Sequence, residues 1–503
     1  MSARAGHNRT VTNPVATPDV DAVVVGAGPN GLVAAVRLAE AGLRVLVLEA
    51  ADHPGGGLRS AEVTLPGFVH DLGATVHALG LASPAMRALD LGAEGLELVH
   101  PPTPLGHAID AGRSALLHRP IDATAAGLGR DGRAWRGMLA RLSANWPGLA
   151  ASVLDPTRLP PHDLGALLGF GVRGLWPASL VGRAVFRDEP ARALFAGLAA
   201  HAAVPLGQPL TTGIGLMLGG LAHGVGWPVA RGGSQSVADA LVARLRSLGG
   251  EVRTGHRVTA LAELPSARVV VLDLTPRQVL AIAGDALPAR YARRLARWRY
   301  GAGVFAAHWA LDGPVPWADP ALAGAGTVHI GTAEQVARTE REAARGRHVD
   351  DPWVLAVQAT VADPTRAPAG KHTLWAYCRV PNGSTVDALP ALEAQLERVA
   401  PGFRERVLGR HVMGPAALEG WNANLVGGDI GGGATDLRQL AARPSLSLTP
   451  WATPVPGLYL CSSSTLPGGG VHGMGGWNAA GAALARLGAG SAGVTGASGA
   501  SRD

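Results

Sequence analysis

Cysteine is almost missing from this chain of 503 residues: there are two, Cys378 and Cys461, and no C-x-x-C pair. A disulfide scaffold, a thiolate zinc site and a dithiol redox centre are therefore disfavoured, and two free thiols suit a reducing, cytoplasmic setting. Lysine is scarcer still, with Lys371 the sole example. The net charge of +6 thus comes from arginines. They are scattered, with no basic stripe carrying interleaved aromatics, so no nucleic-acid partner is expected. No His/Cys/Asp cluster has metal-ligand spacing, and no Gly-x-Ser-x-Gly elbow is present. A clean apolar run of about 20 residues, the length of a membrane span, is lacking as well. The nearest stretch, residues 193–230, is broken by Pro205, Pro209 and Pro228 and carries His201 and His223. It reads as buried helices and loops around an apolar cavity, with a shallow membrane-docking patch as the second reading.

What is abundant is apolar side chain and glycine. Hydrophobic residues are 47% and charged ones 16%, enough for a large interior in a chain of two structural domains. The 70 glycines fall in clusters, as where backbone must approach a ligand closely. The polar N-terminal stretch, 1–19, and the small-residue tail, 489–503, read as flexible; the former has no apolar core of a signal peptide.

Residues 22–25 are a short β-branched run, 31–41 have apolar residues at helical spacing, and 44–49 form a second apolar run ending in an acid. Strand, helix and strand so close together predict a βαβ unit with a parallel sheet. Between strand and helix lies Gly26-Ala27-Gly28-Pro29-Asn30-Gly31, a G-x-G-x-x-G in the context that gives the pattern meaning. Gly26 permits the tight turn, Gly28 lets backbone reach a pyrophosphate, and Gly31 lets helix and strand pack closely. The helix N-terminus then turns free N–H groups and a positive dipole end to the phosphates. Glu49, closing the second strand, suits a ribose diol and would repel a 2′-phosphate. A second cluster follows, Gly55-Gly56-Gly57-Leu58-Arg59, which suits a long two-phosphate ligand in an extended pose, FAD rather than NAD, with Arg59 over phosphate or flavin. Two more segments have nucleotide-fold character. One is a helical pattern at 237–247 after Arg231-Gly232-Gly233-Ser234, with strand-like runs at 258–261 and 268–272. The other is a strand-like run at 458–461, a glycine-rich turn and a helix over 478–487.

With Pro66-Gly67-Phe68 and Asp71-x-Gly73, residues 23–59 resemble the N-terminus of bacterial phytoene desaturases. More broadly they resemble the flavin amine oxidase and carotenoid desaturase-isomerase superfamily. The likeness returns at Gly226-Trp227-Pro228, at residues 309–317 and 367–373, at Gly427-Gly428-Asp429-Ile430 and at Pro467-Gly468-Gly469-Gly470-Val471-His472-Gly473. It implies an α/β architecture: a Rossmann-type FAD-binding domain in discontinuous segments (20–80, 226–300, 446–488) and an α+β substrate domain (81–225, 301–445). It further implies FAD bound non-covalently, Val258 meeting the adenine end, and the turn at Gly473, Met474 and Asn478 setting a helix N-terminus under the flavin ring. The activity implied is a dehydrogenase or desaturase passing hydride to flavin N5 from an apolar, polyene- or isoprenoid-like substrate. Alternatives on the same fold are an isomerase or saturase, an oxygen-using oxidase, and a non-catalytic scaffold. The chain departs from the family where Ser462 and Ser463 replace an acid beside the ribityl chain, Ser463 remaining a hydrogen-bonding candidate. It departs again where Ala306 and its neighbours offer no lysine, which weakens an amine oxidase reading. The proton lost with the hydride needs an acceptor. His77, His308, Asp429 and His472 are the candidates, and Tyr377 and Trp421 are candidate pocket walls.

Overall fold

The computed structural model describes residues 20–155 and 163–496; the expected leader and the end of the expected tail lie outside them. Strands Ala22–Val25 and Val45–Leu48 are buried along their whole length. Runs without a polar face are what a parallel sheet covered on both sides requires. They sit at the centre of a five-stranded, all-parallel sheet in the order Leu458–Leu460, Val269–Leu272, Ala22–Val25, Val45–Leu48, Glu251–Arg253. Helix Pro29–Glu40 follows the glycine turn, and helix Met474–Gly496 packs across it. That last helix starts before residue 478 and runs past 487, so the backbone of 489–496 is helical where fraying was expected. The run at 258–261 forms no strand: Val258 is a buried loop residue, and a 3₁₀ turn spans Leu261–Glu263. Its neighbours Arg257 and Thr259 are exposed, and the loop pairs with no strand of the sheet.

The second sheet has seven strands, ordered Val407–Met413, Gly303–Leu311, His372–Val380, Val354–Val357, Ala325–Ile330, Thr103–Ala108, Ser114–Leu117. All pairs are antiparallel except Ala325–Ile330 with Thr103–Ala108. Alternation along Gly303–Leu311 separates two environments. Phe305, Ala307 and Trp309 pack with Leu392, Leu396 and Phe403 on one face, while Val304 and Ala306 face the other way. Helices Glu189–Ala199 and Thr211–Gly224 are buried nearly throughout. The stretch 193–230 is thus interior, as its first reading had it, and is no surface patch. Among the described residues no helix is long and apolar enough to cross a membrane.

Candidate functional site

The carboxyl ends of the parallel strands, where ligands of open α/β sheets bind, open onto a cavity of about 1340 Å³. That exceeds the about 300–1,000 Å³ of a single small-molecule site. Gly26, Gly28, Pro29 and Asn30 line it from the early turn, and the stretch from Leu466 to His472 lines it from the late one. Gly26 has φ +100°, a conformation that favours glycine. Gly28 caps the first helix and has no side chain of its own to bond the helix end; the Gly31 N–H is taken by Asp273, and other backbone of the turn is left for a ligand. The second glycine cluster is tied to the first by the Gly55 N–H, which donates to the Ala27 carbonyl at 2.8 Å. Gly56, Gly57 and Arg59 also line the cavity; Leu58 is wholly buried behind them, and Gly31 sits behind the turn.

Glu49 lies on the wall at the end of its strand and accepts the Ala27 N–H at 2.6 Å and the Ala51 N–H at 2.8 Å. The carboxylate is thereby aimed before any ribose arrives, with lone pairs to spare. Arg59 stacks on the Trp421 ring, its guanidinium 4.4 Å from the centroid, and donates to the Gly56 and Trp421 carbonyls. Val258 and Ser463 are on the wall too. Gly473, Met474 and Asn478 are not. Gly473 packs against Val33, the Met474 N–H donates to His472 Nδ1, and the buried Asn478 amide nitrogen has no partner.

Of the four proton-acceptor candidates, two reach the cavity. Asp429 accepts the Gly301 and Gly431 N–H groups, one on each oxygen, both at 2.7 Å. His472 is held with Nδ1 accepting from Met474 and Nε2 against the Gly468 carbonyl at 3.2 Å, and burial pushes it down to about 4. His77 is not on the wall; it precedes a short helix, and its Nε2 bonds the Ser234 hydroxyl at 2.9 Å. His308 is also off the wall, buried in the sheet opposite Trp375, with both ring nitrogens unpartnered and its pKa driven well below the ordinary value by burial. A neutral ring among His70, His411 and Trp375 is packing, not proton transfer. Tyr377 and Trp421 do line the cavity.

Sequence reading missed Asp273, although it follows its strand as Glu49 follows Leu48. It is buried on the cavity wall, its Oδ2 accepting the Gly31 N–H at 3.0 Å, and a Cβ on Gly28 would come within 2.6 Å of it. Burial pushes its carboxyl up to about 7 against the pull of the Gly31 N–H, and the charge of Glu49 adds to the rise. Between the ordinary 3.8 and about 7 the folded chain keeps a proton that the unfolded chain has released, so stability falls as pH rises through that window and levels off above it. At about 1.4 kcal/mol per pH unit the whole effect is about 4 kcal/mol at most. Asp273→Asn is expected to flatten this slope in urea titrations at successive pH values; an unchanged slope would rule Asp273 out as its source.

The match to known proteins agrees with this geometry. Residues 24–90 match the model of the NAD(P)-binding Rossmann-like domain. The chain is 28% identical to pyridine nucleotide-disulfide oxidoreductase domain-containing protein 2 of Rattus norvegicus, over 92% of this chain and 93% of that one. It is 29% identical to the phytoene dehydrogenase of Streptomyces griseus over 77% of each. Among solved structures, cyclohexylamine oxidase from Brevibacterium oxydans superposes with a TM-score of 0.60, covering 93% of this chain and all of that one at 17% identity, a likeness of fold. The chain is an oxidoreductase similar to phytoene dehydrogenases, and its N-terminal part matches a Rossmann-like dinucleotide-binding domain.

Proposed function

We propose that the chain binds FAD non-covalently and dehydrogenates an apolar, polyene- or isoprenoid-like substrate. The observation that carries this reading is that the early and late glycine turns line one cavity, which continues between the second sheet and the helices as an apolar chamber. The dinucleotide end would be held by the Gly26–Gly31 turn, Glu49 and Val258, and the flavin end by Ser463 and the late turn. Both cysteines are free and buried; neither lines the cavity, in keeping with a cofactor held without a thioether. When bound, FAD supplies the hydride acceptor. The chain's own groups orient, exclude water and take the proton. Leu355, Val357 and Trp375 of the sheet and Ile214, Met217 and Leu218 of the helix form a dry wall for an apolar chain. Asp429 is the proton acceptor in this reading. His472 has both ring nitrogens engaged and resists charging, whereas each Asp429 oxygen keeps a lone pair beyond its backbone bond.

Purified protein is expected to be yellow, absorbing near ~450 nm, and to bleach without oxygen when a polyene precursor is added. A colourless protein that takes up no FAD would sink the reading. Bleaching followed by peroxide on re-aeration assigns an oxidase instead, and turnover that requires reduced flavin assigns an isomerase or saturase.

Peripheral lipid contact belongs to the same reading, at a different place from the one first expected. Leu164, Leu168, Val172, Trp176 and Leu180 are exposed, while Phe170, Gly171, Gly174 and Leu175 of the same segment line the cavity. Apolar side chains on the outside of a cavity wall, from helix Leu164–Gly174 to helix Ala178–Val185, fit a surface resting in a bilayer interface. Co-flotation with phosphatidylglycerol vesicles is expected, and loss of it in Leu168→Glu/Val172→Glu; equal flotation of the variant would reject this surface.

A further inference from the structure

The chamber wall is mostly apolar, and a buried arginine stands on it. On strand His372–Val380 the alternate residues Trp375, Tyr377 and Arg379 line the cavity. Arg379 is 4% exposed. A buried guanidinium is costly unless its donors are met, and here they are met only in part. One Nε–H reaches Glu340 Oε1 at 3.3 Å, and Nη1 has no partner. The same Glu340 oxygen accepts the Trp353 indole N–H at 3.0 Å, while Oε2 has no partner. An arginine present only to neutralise Glu340 would meet it fork to fork, with two parallel bonds. Here a single long contact leaves one end of the guanidinium free. The Tyr377 ring lies beside it, 5.4 Å from ring centroid to guanidinium carbon. His201, also on the wall, has Nδ1 committed to the Gly197 and Leu198 carbonyls and is kept neutral by burial. The carboxylates whose charge Arg379 feels are Glu340 and, on the same cavity wall, Asp429. Burial raises the Glu340 carboxyl, which lessens its hold on the arginine.

A pure hydrocarbon would fill the chamber and leave the guanidinium with its Nε contact to Glu340 alone. We propose that the substrate is an amphiphile, an apolar chain ending in a carboxylate or carbonyl oxygen that is held by the Arg379 guanidinium. This rests on the apolar-substrate reading above and narrows it.

The test uses the full chain supplied with FAD and three probes of one length: farnesoic acid, methyl farnesoate and farnesene. Binding is read by calorimetry, which needs no flavin signal. The acid or the ester is expected to bind at least about tenfold tighter than farnesene, and Arg379→Met to erase that gap while leaving farnesene unchanged. Whichever of the two binds tighter identifies the head group. Glu340→Gln keeps the guanidinium and removes its competing charge, so it is expected to widen the advantage of the acid; this variant serves if Arg379→Met does not fold. Equal binding of all three probes, a gap that survives in Arg379→Met, or no widening in Glu340→Gln would overturn the proposal and leave the apolar chamber standing. If none of the three binds, the apolar-substrate reading falls and this proposal with it. A chain that takes up no FAD yet shows an Arg379-dependent gap refutes the flavin and keeps the head-group site.

Discussion

Gly476→Ala is expected to unseat the last helix from the glycine turn and, on the proposed function, to lower the flavin bound per chain. A Cβ built at Gly476 would stand 1.8 Å from the Asn30 carbonyl oxygen and 2.9 Å from the Ala34 nitrogen. Both are backbone atoms of the first helix, so no side chain can swing aside. The helices must separate or the turn must deform. Nearby, Arg37 stacks on Trp477 at 4.1 Å and donates to the Trp477 carbonyl, so the contact is fastened beside the very point that would be forced open. Overpacking of this kind costs about 1–3 kcal/mol, and more when backbone is the obstacle. The functional loss is expected to exceed the loss of stability, because the shift falls on Asn30, which lines the cavity. Flavin content per chain and the thermal midpoint together check this. A variant that keeps full flavin content at an unchanged midpoint shows that the two turns do not act as one site.

Arg366→Met is expected to give the largest loss of stability. Arg366 is fully buried and donates to Asp363 at 3.0 Å, to Asp71 at 3.1 Å and to the Ala230 carbonyl at 2.8 Å. Asp71 also takes the Ser60 hydroxyl at 2.6 Å and the Ser234 N–H at 2.8 Å, and Asp363 takes the Gly232 N–H at 2.7 Å. Three stretches that are remote in sequence, around residues 60–71, 230–234 and 363–366, are thus joined at one buried cation, with Arg231 reaching Asp363 at 3.9 Å from the rim. Methionine fills the space and leaves two buried carboxylates without it. Removing one partner of a buried ion pair costs about 3–5 kcal/mol. Arg253 is the control. Its pair with Glu251 is exposed on both sides, so Arg253→Met is expected to stay within about 1 kcal/mol. Urea midpoints for the two variants check the contrast; equal losses would show that the buried cluster is no stronger than the surface pair.

These two cases also mark how far the sequence could be read. Gly26 to Glu49 was legible because its information is local: a β-branched run, a turn that needs positive φ, a helix and an acid after the next strand, all within one βαβ unit. Asp71, Gly232 and Ser234 fell within segments that stood out, yet their common partner, Arg366, did not: it comes just before the 367–373 match, and nothing in that match points to residues so remote in sequence. His308 was misread for a related reason. Its strand was visible, but whether a strand residue meets ligand or packing is set by register against neighbours, here Trp375 on one side and His411 on the other. Val258 was expected on a strand and is a loop residue, because a short apolar run becomes a strand only where a neighbouring edge offers hydrogen bonds.

By itself, then, the sequence determined the phosphate-facing turn, the acid beside it, the apolar interior and the class of fold, since each depends on backbone geometry or composition within a short stretch. Which residues share the cavity was decided by tertiary structure alone. Asp273 came under the Gly31 N–H, Arg379 came to the chamber wall with one donor unspent, and Gly476 met Asn30 at backbone contact. Those pairings join residues hundreds of positions apart, and close packing, which no local pattern encodes, selects them.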